Sequence, residues 1–242
     1  MNKDNRQPGK LDSFFNEVES LKKHLPPINS AGYPFIIIFF LVSLLLSTLS
    51  EFLGWLGFLI TIWCVYFFRD PERVIPDDQK IIVSPADGKI LSIDTAKSPE
   101  NLVDKKQLEM KRISIFMDVF NVHVNRIPVS GKIVWLKYIP GAFLNASLDK
   151  SSEDNERMVT KIEISKDLFI YVVQIAGLIA RRIKCDLTEN QSVQVGERFG
   201  IIRFGSRVDV YVPKEFKTNI FKGQISISGE TILADFKNIK SK

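Results

Sequence analysis

Along the chain, the spacing of apolar side chains changes character twice. From Tyr33 to Ser50 no side chain is charged, and after Glu51 the apolar run resumes from Phe52 to Phe68. Phe and Leu cover every face of both halves and leave no polar stripe, so the pattern predicts helices that are apolar all round. Each half is close to the length that crosses a hydrocarbon layer, at about 1.5 Å rise per residue. Glu51, with Ser50 before it and Gly54 after, marks a turn, and residues 31–68 are expected to form a membrane-associated helical hairpin. The competing reading is a hairpin buried inside a soluble protein. A cleaved signal peptide fits poorly, because the run starts late, is long and lacks a small-residue cleavage pattern. Lys22, Lys23 and His24 precede the first half, and Arg69 and Arg73 follow the second. Positive residues at both outer ends predict a cell (inner) membrane location, with the domain after the hairpin on the cytoplasmic side.

Beyond residue 79 the period shortens to two. Ile113–Phe116, Lys132–Trp135, Lys161–Ile164, Phe169–Ile175, Arg207–Val212 and Gln224–Ile227 are short β-branched or aromatic runs set between Gly, Pro, Asn and Asp. That is the strand signature, and no long amphipathic helix competes with it. The fold class expected is mainly β, a sandwich or barrel-like catalytic domain with antiparallel or mixed pairing, joined to an N-terminal α-helical membrane hairpin. The expected organisation is a polar N-terminal tail over 1–30, with a short amphipathic helix around Leu11 to Leu25, the hairpin over 31–68, and the β-rich domain over 69–242. The prolines and charges from Arg69 to Asp78 stop the second helix.

Composition narrows the chemistry. The 242 residues carry 33 Lys and Arg against 28 Asp and Glu, a formal +5, which is no argument for a nucleic-acid partner. Nearly all of that excess follows residue 68, where cations could meet anionic lipid; Arg69, Arg73, Arg126 and Arg207 are the arginines expected at a headgroup, and a lysine-rich solvated surface is the bland alternative. Two cysteines and two histidines are too few for a structural zinc site or a disulfide framework, so no metal is expected. Cys64 and Cys185 read as reduced thiols. His24 lies ahead of the apolar run, which leaves His123 as the histidine of the β-rich part.

No GxGxxG, GxxxxGK[ST], HExxH or GxSxG motif is present, which disfavours nucleotide, zinc-protease and α/β-hydrolase readings. Three stretches stand out instead: Ser84-Pro85-Ala86-Asp87-Gly88, Phe120 to Arg126, and Arg203 to Tyr211. Separately each has a plain explanation as a β-turn, an interior histidine and a Gly-Ser bulge. Together they supply Asp87, His123 and Ser206, a carboxylate, a base and a nucleophile.

Phe67 to Arg73, Val83 to Gly88, Asn121 to Arg126 and Phe204 to Asp209, in this order and spacing, resemble the phosphatidylserine decarboxylases, in particular their short form. The resemblance runs from about Phe67 to the C-terminus, and the apolar hairpin matches that family's membrane attachment. It implies that the Gly205-Ser206 bond cuts itself: Ser206 attacks the Gly205 carbonyl, the resulting ester is lost by β-elimination, and hydrolysis leaves a pyruvoyl group as a covalent cofactor. His123 is then the base and Asp87 its partner. A large chain, 1–205, and a small chain, 206–242, are expected to stay associated. Phosphatidylserine would form a Schiff base with the pyruvoyl group, lose carbon dioxide and yield phosphatidylethanolamine. Assembly into a homo-oligomer is left open. Longer-form relatives carry a further histidine where this chain has Phe120, which leaves His123 as the one imidazole candidate after the hairpin. Two other functions stay open on the residues alone: a membrane-tethered, non-catalytic β-domain that binds lipid or a carrier, and a membrane-anchored hydrolase using Asp87, His123 and Ser206 on another polypeptide.

Overall fold

A computed structural model describes residues 25–99, 108–144, 146, 154–177, 182–203 and 206–237. The expected tail helix around Leu11 to Leu25 and His24 lie almost wholly outside these residues. The chain divides into two compact units, Met1–Val65 with Arg69–Glu72 and Tyr66–Phe68 with Arg73–Lys242.

In the first unit a 3₁₀ turn, Ser30–Gly32, is capped by Asn29 Oδ1, which accepts from Ala31 N at 3.1 Å. It leads into α1, Tyr33–Ser47, where Pro34 sits in the first turn and forfeits no helical hydrogen bond. Ser47 and Thr48 hydroxyls donate back to the carbonyls of Leu44 and Leu45 at 2.7 Å each, and the chain reverses into α2, Glu51–Phe67. Small residues make the seam between the helices. A Cβ on Gly54 would lie 2.6 Å from Ser47 Cβ, and one on Gly57 would lie 2.7 Å from Ser43 Cβ. Close approach through small residues is how helices associate where burying apolar surface from water gives no drive. The outward side chains, Leu45, Phe52 and Trp55 among them, are exposed apolar groups. Ser30–Ser47 is long and apolar enough to cross a membrane, whereas Glu51–Phe67 is shorter.

The second unit is built of strands. Its largest sheet comprises β2 (Gly88–Lys97), β3 (Glu109–Met117), β5 (Gly131–Ile139), β6 (Arg157–Ser165), β7 (Leu168–Ala176), β9 (Ser192–Val193), β11 (Ser206–Pro213) and β13 (Ile225–Ser226). These eight strands lie in the order β13-β2-β3-β11-β7-β6-β5-β9, and the sheet curls into a half-barrel. Two three-stranded sheets complete the unit: β4 (Val124–Arg126), β10 (Arg198–Ile202) and β8 (Ile183–Cys185), and β1 (Ile81–Val83), β14 (Ile232–Asp235) and β12 (Lys217–Thr218). Every strand pairing among the described residues is antiparallel.

Alternation sorts the large sheet into two faces. Val208, Val210 and Val212 of β11 join Ile113, Ile115, Ile170 and Val172 in the main core. Tyr211 turns to the other face, beside Met110, Tyr171 and Val173 in a smaller cluster. β11 is an inner strand of this sheet, paired from Ser206 to Pro213 with β3 and from Ser206 to Tyr211 with β7. Cys64 and Cys185 are free thiols.

Candidate active site

The turn Ser84 to Gly88 links β1 to β2 and is fixed by short polar side chains. Ser84 Oγ donates to Ala86 O at 2.7 Å, and Ser226 Oγ lies 3.2 Å from the same oxygen. Gly88 is required by close approach, since a Cβ there would lie 2.1 Å from Phe116 O. Between them Asp87 is half-buried. Its Oδ2 accepts from Arg73 NH2 at 2.7 Å and its Oδ1 from Ser228 N at 2.8 Å.

His123 immediately precedes β4 and is fully buried. Its ring lies 4.3 Å from that of Phe67, centroid to centroid, at 31°. Nδ1 is 3.0 Å from Asn121 O. A carbonyl oxygen can only accept, so Nδ1 carries the proton in the neutral ring and the lone pair falls on Nε2. The His123 carbonyl accepts from Ile202 N at 3.4 Å. That bond ties the histidine to the end of β10, four residues before Ser206.

Ser206 opens β11, opposite Met117 on one side and Ala176 on the other. It too is fully buried, with Oγ 3.4 Å from Met117 Sδ. Gly205 and Phe204 lie outside the described residues.

The segments bearing Asp87, His123 and Ser206 meet through their neighbours. Pro85 O accepts from Arg126 N at 2.9 Å and lies 3.5 Å from Asn125 Nδ2. Asn125 Nδ2 is also 3.8 Å from Met117 Sδ, the sulfur that Ser206 Oγ meets. Gln174 Nε2 donates to Asn125 Oδ1 at 2.8 Å. Met117 and Gln174 were not singled out in the sequence, and Asn125 was marked only as part of the Phe120 to Arg126 stretch. Gln174 left a signal, being the one polar side chain in the apolar run Phe169–Ile175. It is fully buried, and its Oε1 has no hydrogen-bond partner among the described residues. β7 places it on the same face as Ser206, because Ala176 stands opposite Ser206 and Gln174 opposite Val208.

The next residue points the other way. Arg207 Nε and NH2 donate to the two Asp209 oxygens at 2.6 and 3.1 Å, and NH2 donates to Ser114 Oγ at 2.7 Å. Both charged groups are buried. Burial pushes the Asp209 carboxyl up against the pull of Arg207 and Ser114, and lifts the nearby Tyr211 phenol to about 12. Three of the four arginines expected at a headgroup are thus engaged within the fold, Arg73 by Asp87, Arg207 by Asp209 and Arg126 through a 3.0 Å bond from NH1 to Gly196 O. Among the described residues no group of three or more His, Cys, Asp or Glu is placed to hold a metal ion.

Comparison with known proteins matches the same parts of the chain. The family model described as "Phosphatidylserine decarboxylase" covers residues 60–234. A curated protein of Rickettsia typhi (strain ATCC VR-144 / Wilmington), named "Phosphatidylserine decarboxylase proenzyme", is 54% identical over 215 residues, 89% of this chain and 93% of its own length. A protein of the same name from Rickettsia akari (strain Hartford) is 55% identical over 209 residues, 86% of this chain and 90% of its own.

Proposed function

The chain belongs to the phosphatidylserine decarboxylase family, and on that footing we propose that it is a proenzyme that cuts itself between Gly205 and Ser206 and then decarboxylates phosphatidylserine to phosphatidylethanolamine. The observation that carries this reading is the placement of Ser206. It is a buried hydroxyl at the first position of a strand paired on both sides, linked through Met117 and Asn125 to the segments of His123 and Asp87.

His123 Nε2 takes the hydroxyl proton of Ser206 as Oγ attacks the Gly205 carbonyl carbon. The C–O ester bond forms as the peptide C–N bond breaks, and the freed amine of Ser206 receives the proton. Asp87, whose orientation Arg73 and Ser228 fix, stabilises the His123 cation. Removal of the Ser206 Cα proton then expels the Gly205 carboxylate from Cβ, and water replaces nitrogen with oxygen, releasing ammonia.

The residues present fit the resulting pyruvoyl group. Ser206 is shut away from solvent, β3 and β7 hold its strand, and Gln174 Oε1, an acceptor on the same face, would take a hydrogen bond from the substrate amine. The group supplies an electrophilic ketone for the substrate amine and a sink for the electron pair left by carbon dioxide. Asn125 Nδ2, only weakly engaged by Pro85 O at 3.5 Å, would donate to its carbonyl oxygens, the apolar neighbours Met117 and Ala176 would exclude water, and His123 would return a proton to the product carbon. The large and small chains, 1–205 and 206–242, remain partners, and the apolar hairpin keeps the enzyme at the cell (inner) membrane with the β-rich domain on its cytoplasmic side.

Intact mass under denaturing conditions tests the proposal. A C-terminal fragment beginning at residue 206, with a ketone in place of its amine, is expected. Ser206→Ala should give an uncut and inactive chain; an active, purified protein that stays one uncut chain would end this reading.

A further inference from the structure

The edge of the large sheet next to the Asp87 turn carries apolar side chains left exposed among the described residues. β13 is an edge strand, and its inward residue is Ser226, whose Oγ lies 3.2 Å from Ala86 O and 3.3 Å from Gly88 O. Strand alternation therefore turns Ile225 and Ile227 outward. Ile225 is 64% exposed and Ile227 38%. Just before the strand, a tight turn is closed by Gln224 N donating to Phe221 O at 3.2 Å and Phe221 N donating to Gln224 Oε1 at 3.2 Å, with Gly223 at φ +89°. It holds Phe221 out at 78% exposure. After the strand, Ile227 O accepts from Glu230 N at 3.1 Å, and Glu230 Oε1 accepts from Val74 N at 3.2 Å. Val74, 83% exposed, is thereby brought to the same edge. Single exposed apolar residues are ordinary, but Phe221, Ile225, Ile227 and Val74 form a linked set.

Two features select the occupant. Lysines flank the apolar tip: Lys222 is exposed within the turn, and Lys89 is the register partner of Ile225. Apolar side chains with lysines beside them match an anionic bilayer surface, where the former enter the acyl boundary and the latter meet phosphates. A second copy adding a strand here would find only two residues, Ile225 and Ser226, to pair with.

We propose that Phe221, Ile225, Ile227 and Val74 enter the surface of an anionic phospholipid bilayer, beside the turn that carries Asp87. Ser228, one residue past this apolar edge, donates to Asp87. The contact thus sets the mouth of the candidate site at headgroup depth, so that a phosphoserine headgroup reaches it without its acyl chains leaving the bilayer. This inference rests on the reading of the chain as a phospholipid decarboxylase.

The test places a solvatochromic fluorophore on Phe221→Cys in the full chain, with Cys64→Ser and Cys185→Ser, and adds vesicles of phosphatidylglycerol and phosphatidylcholine. Blue-shifted emission that nitroxides on the acyl chains quench is the expected result. Water-like emission that those nitroxides leave unchanged overturns the proposal, as does a blue shift that appears without lipid and grows with protein concentration, which would mean a second copy covers the edge. With the native cysteines present, Phe221→Glu with Ile225→Glu should lower decarboxylation in phosphatidylserine vesicles at least tenfold relative to short-chain phosphatidylserine dispersed in detergent; equal rates in vesicles to the parent overturn it. Fragment mass reads the enzyme hypothesis separately. A chain that is cut while its fluorophore stays in water sinks only the surface, and one that is never cut while its fluorophore enters lipid sinks only the enzyme.

Discussion

Asn121 O fixes which nitrogen of His123 can act, and no side chain is needed to do it. His123→Ala should therefore leave the chain uncut, while Asp87→Asn, which keeps the acceptor for Ser228 N but loses the charge, should slow cutting by about 10²-fold or more. Time courses of fragment appearance measure both; rapid cutting in His123→Ala would remove it from the role of base. Gln174→Met keeps volume but strips Asn125 Oδ1 of its buried donor, a loss of about 1–3 kcal/mol. A lower urea midpoint and slower cutting are expected together, and wild-type cutting would put Gln174 outside the site. On the opposite face, burial raises the Asp94 carboxyl, but the two Arg112 bonds at 2.9 Å outweigh it and hold it below its usual 3.8. A lowered folded value contributes stability above the unfolded pKa and loses it as pH falls through the folded one. Asp94→Asn should thus cost under about 1 kcal/mol at neutral pH, because the pair is partly exposed, and the gap to wild type should close below about pH 4.

Elements were legible where composition marks them and lost where pairing does. Phe169–Ile175 became β7 almost residue for residue, because a buried central strand is a near-continuous apolar run. Gln224–Ile227 shrank to Ile225–Ser226, since only those two residues find a partner in β2. β2, β4 and β10 went unmarked: β2 has one half-exposed face, and β4 is three residues long. The apolar all-round pattern did foretell two helices, and the glycines at their seam set a clear expectation. Gly57→Leu should drive the helices apart, read as a longer distance between spin labels on the exposed positions Leu45 and Trp55. At Gly88 the obstacle is backbone, so Gly88→Val should cost several kcal/mol and lower the thermal midpoint of the β-rich unit. Of the candidate site, the sequence marked His123 by scarcity, and Asp87 and Ser206 by the stretches that carry the family resemblance. It could not show Asn125, Met117 and Gln174 linking those segments, because that link is made by strand register across the sheet, which spacing along the chain does not encode.

At the scale of the molecule, the proposed cut falls beside a strand held on both sides in the middle of the large sheet. β11 keeps β3 on one side and β7 on the other, and Arg207 pins its second residue to Asp209 and Ser114. The new chain end should not fray, and gel filtration without denaturant should carry both fragments in one peak. A deeper consequence concerns reversibility. While the peptide bond is whole, unfolding is an event within one molecule, independent of how many others are near. Once it is broken, unfolding is also a dissociation, so the melting temperature of the mature protein should rise with protein concentration while that of Ser206→Ala stays fixed. A mature molecule that loses its central strand must find it again by diffusion. Self-cleavage would thus turn a refoldable chain into an assembly made once, whose working lifetime would be set by how slowly β11 leaves the sheet.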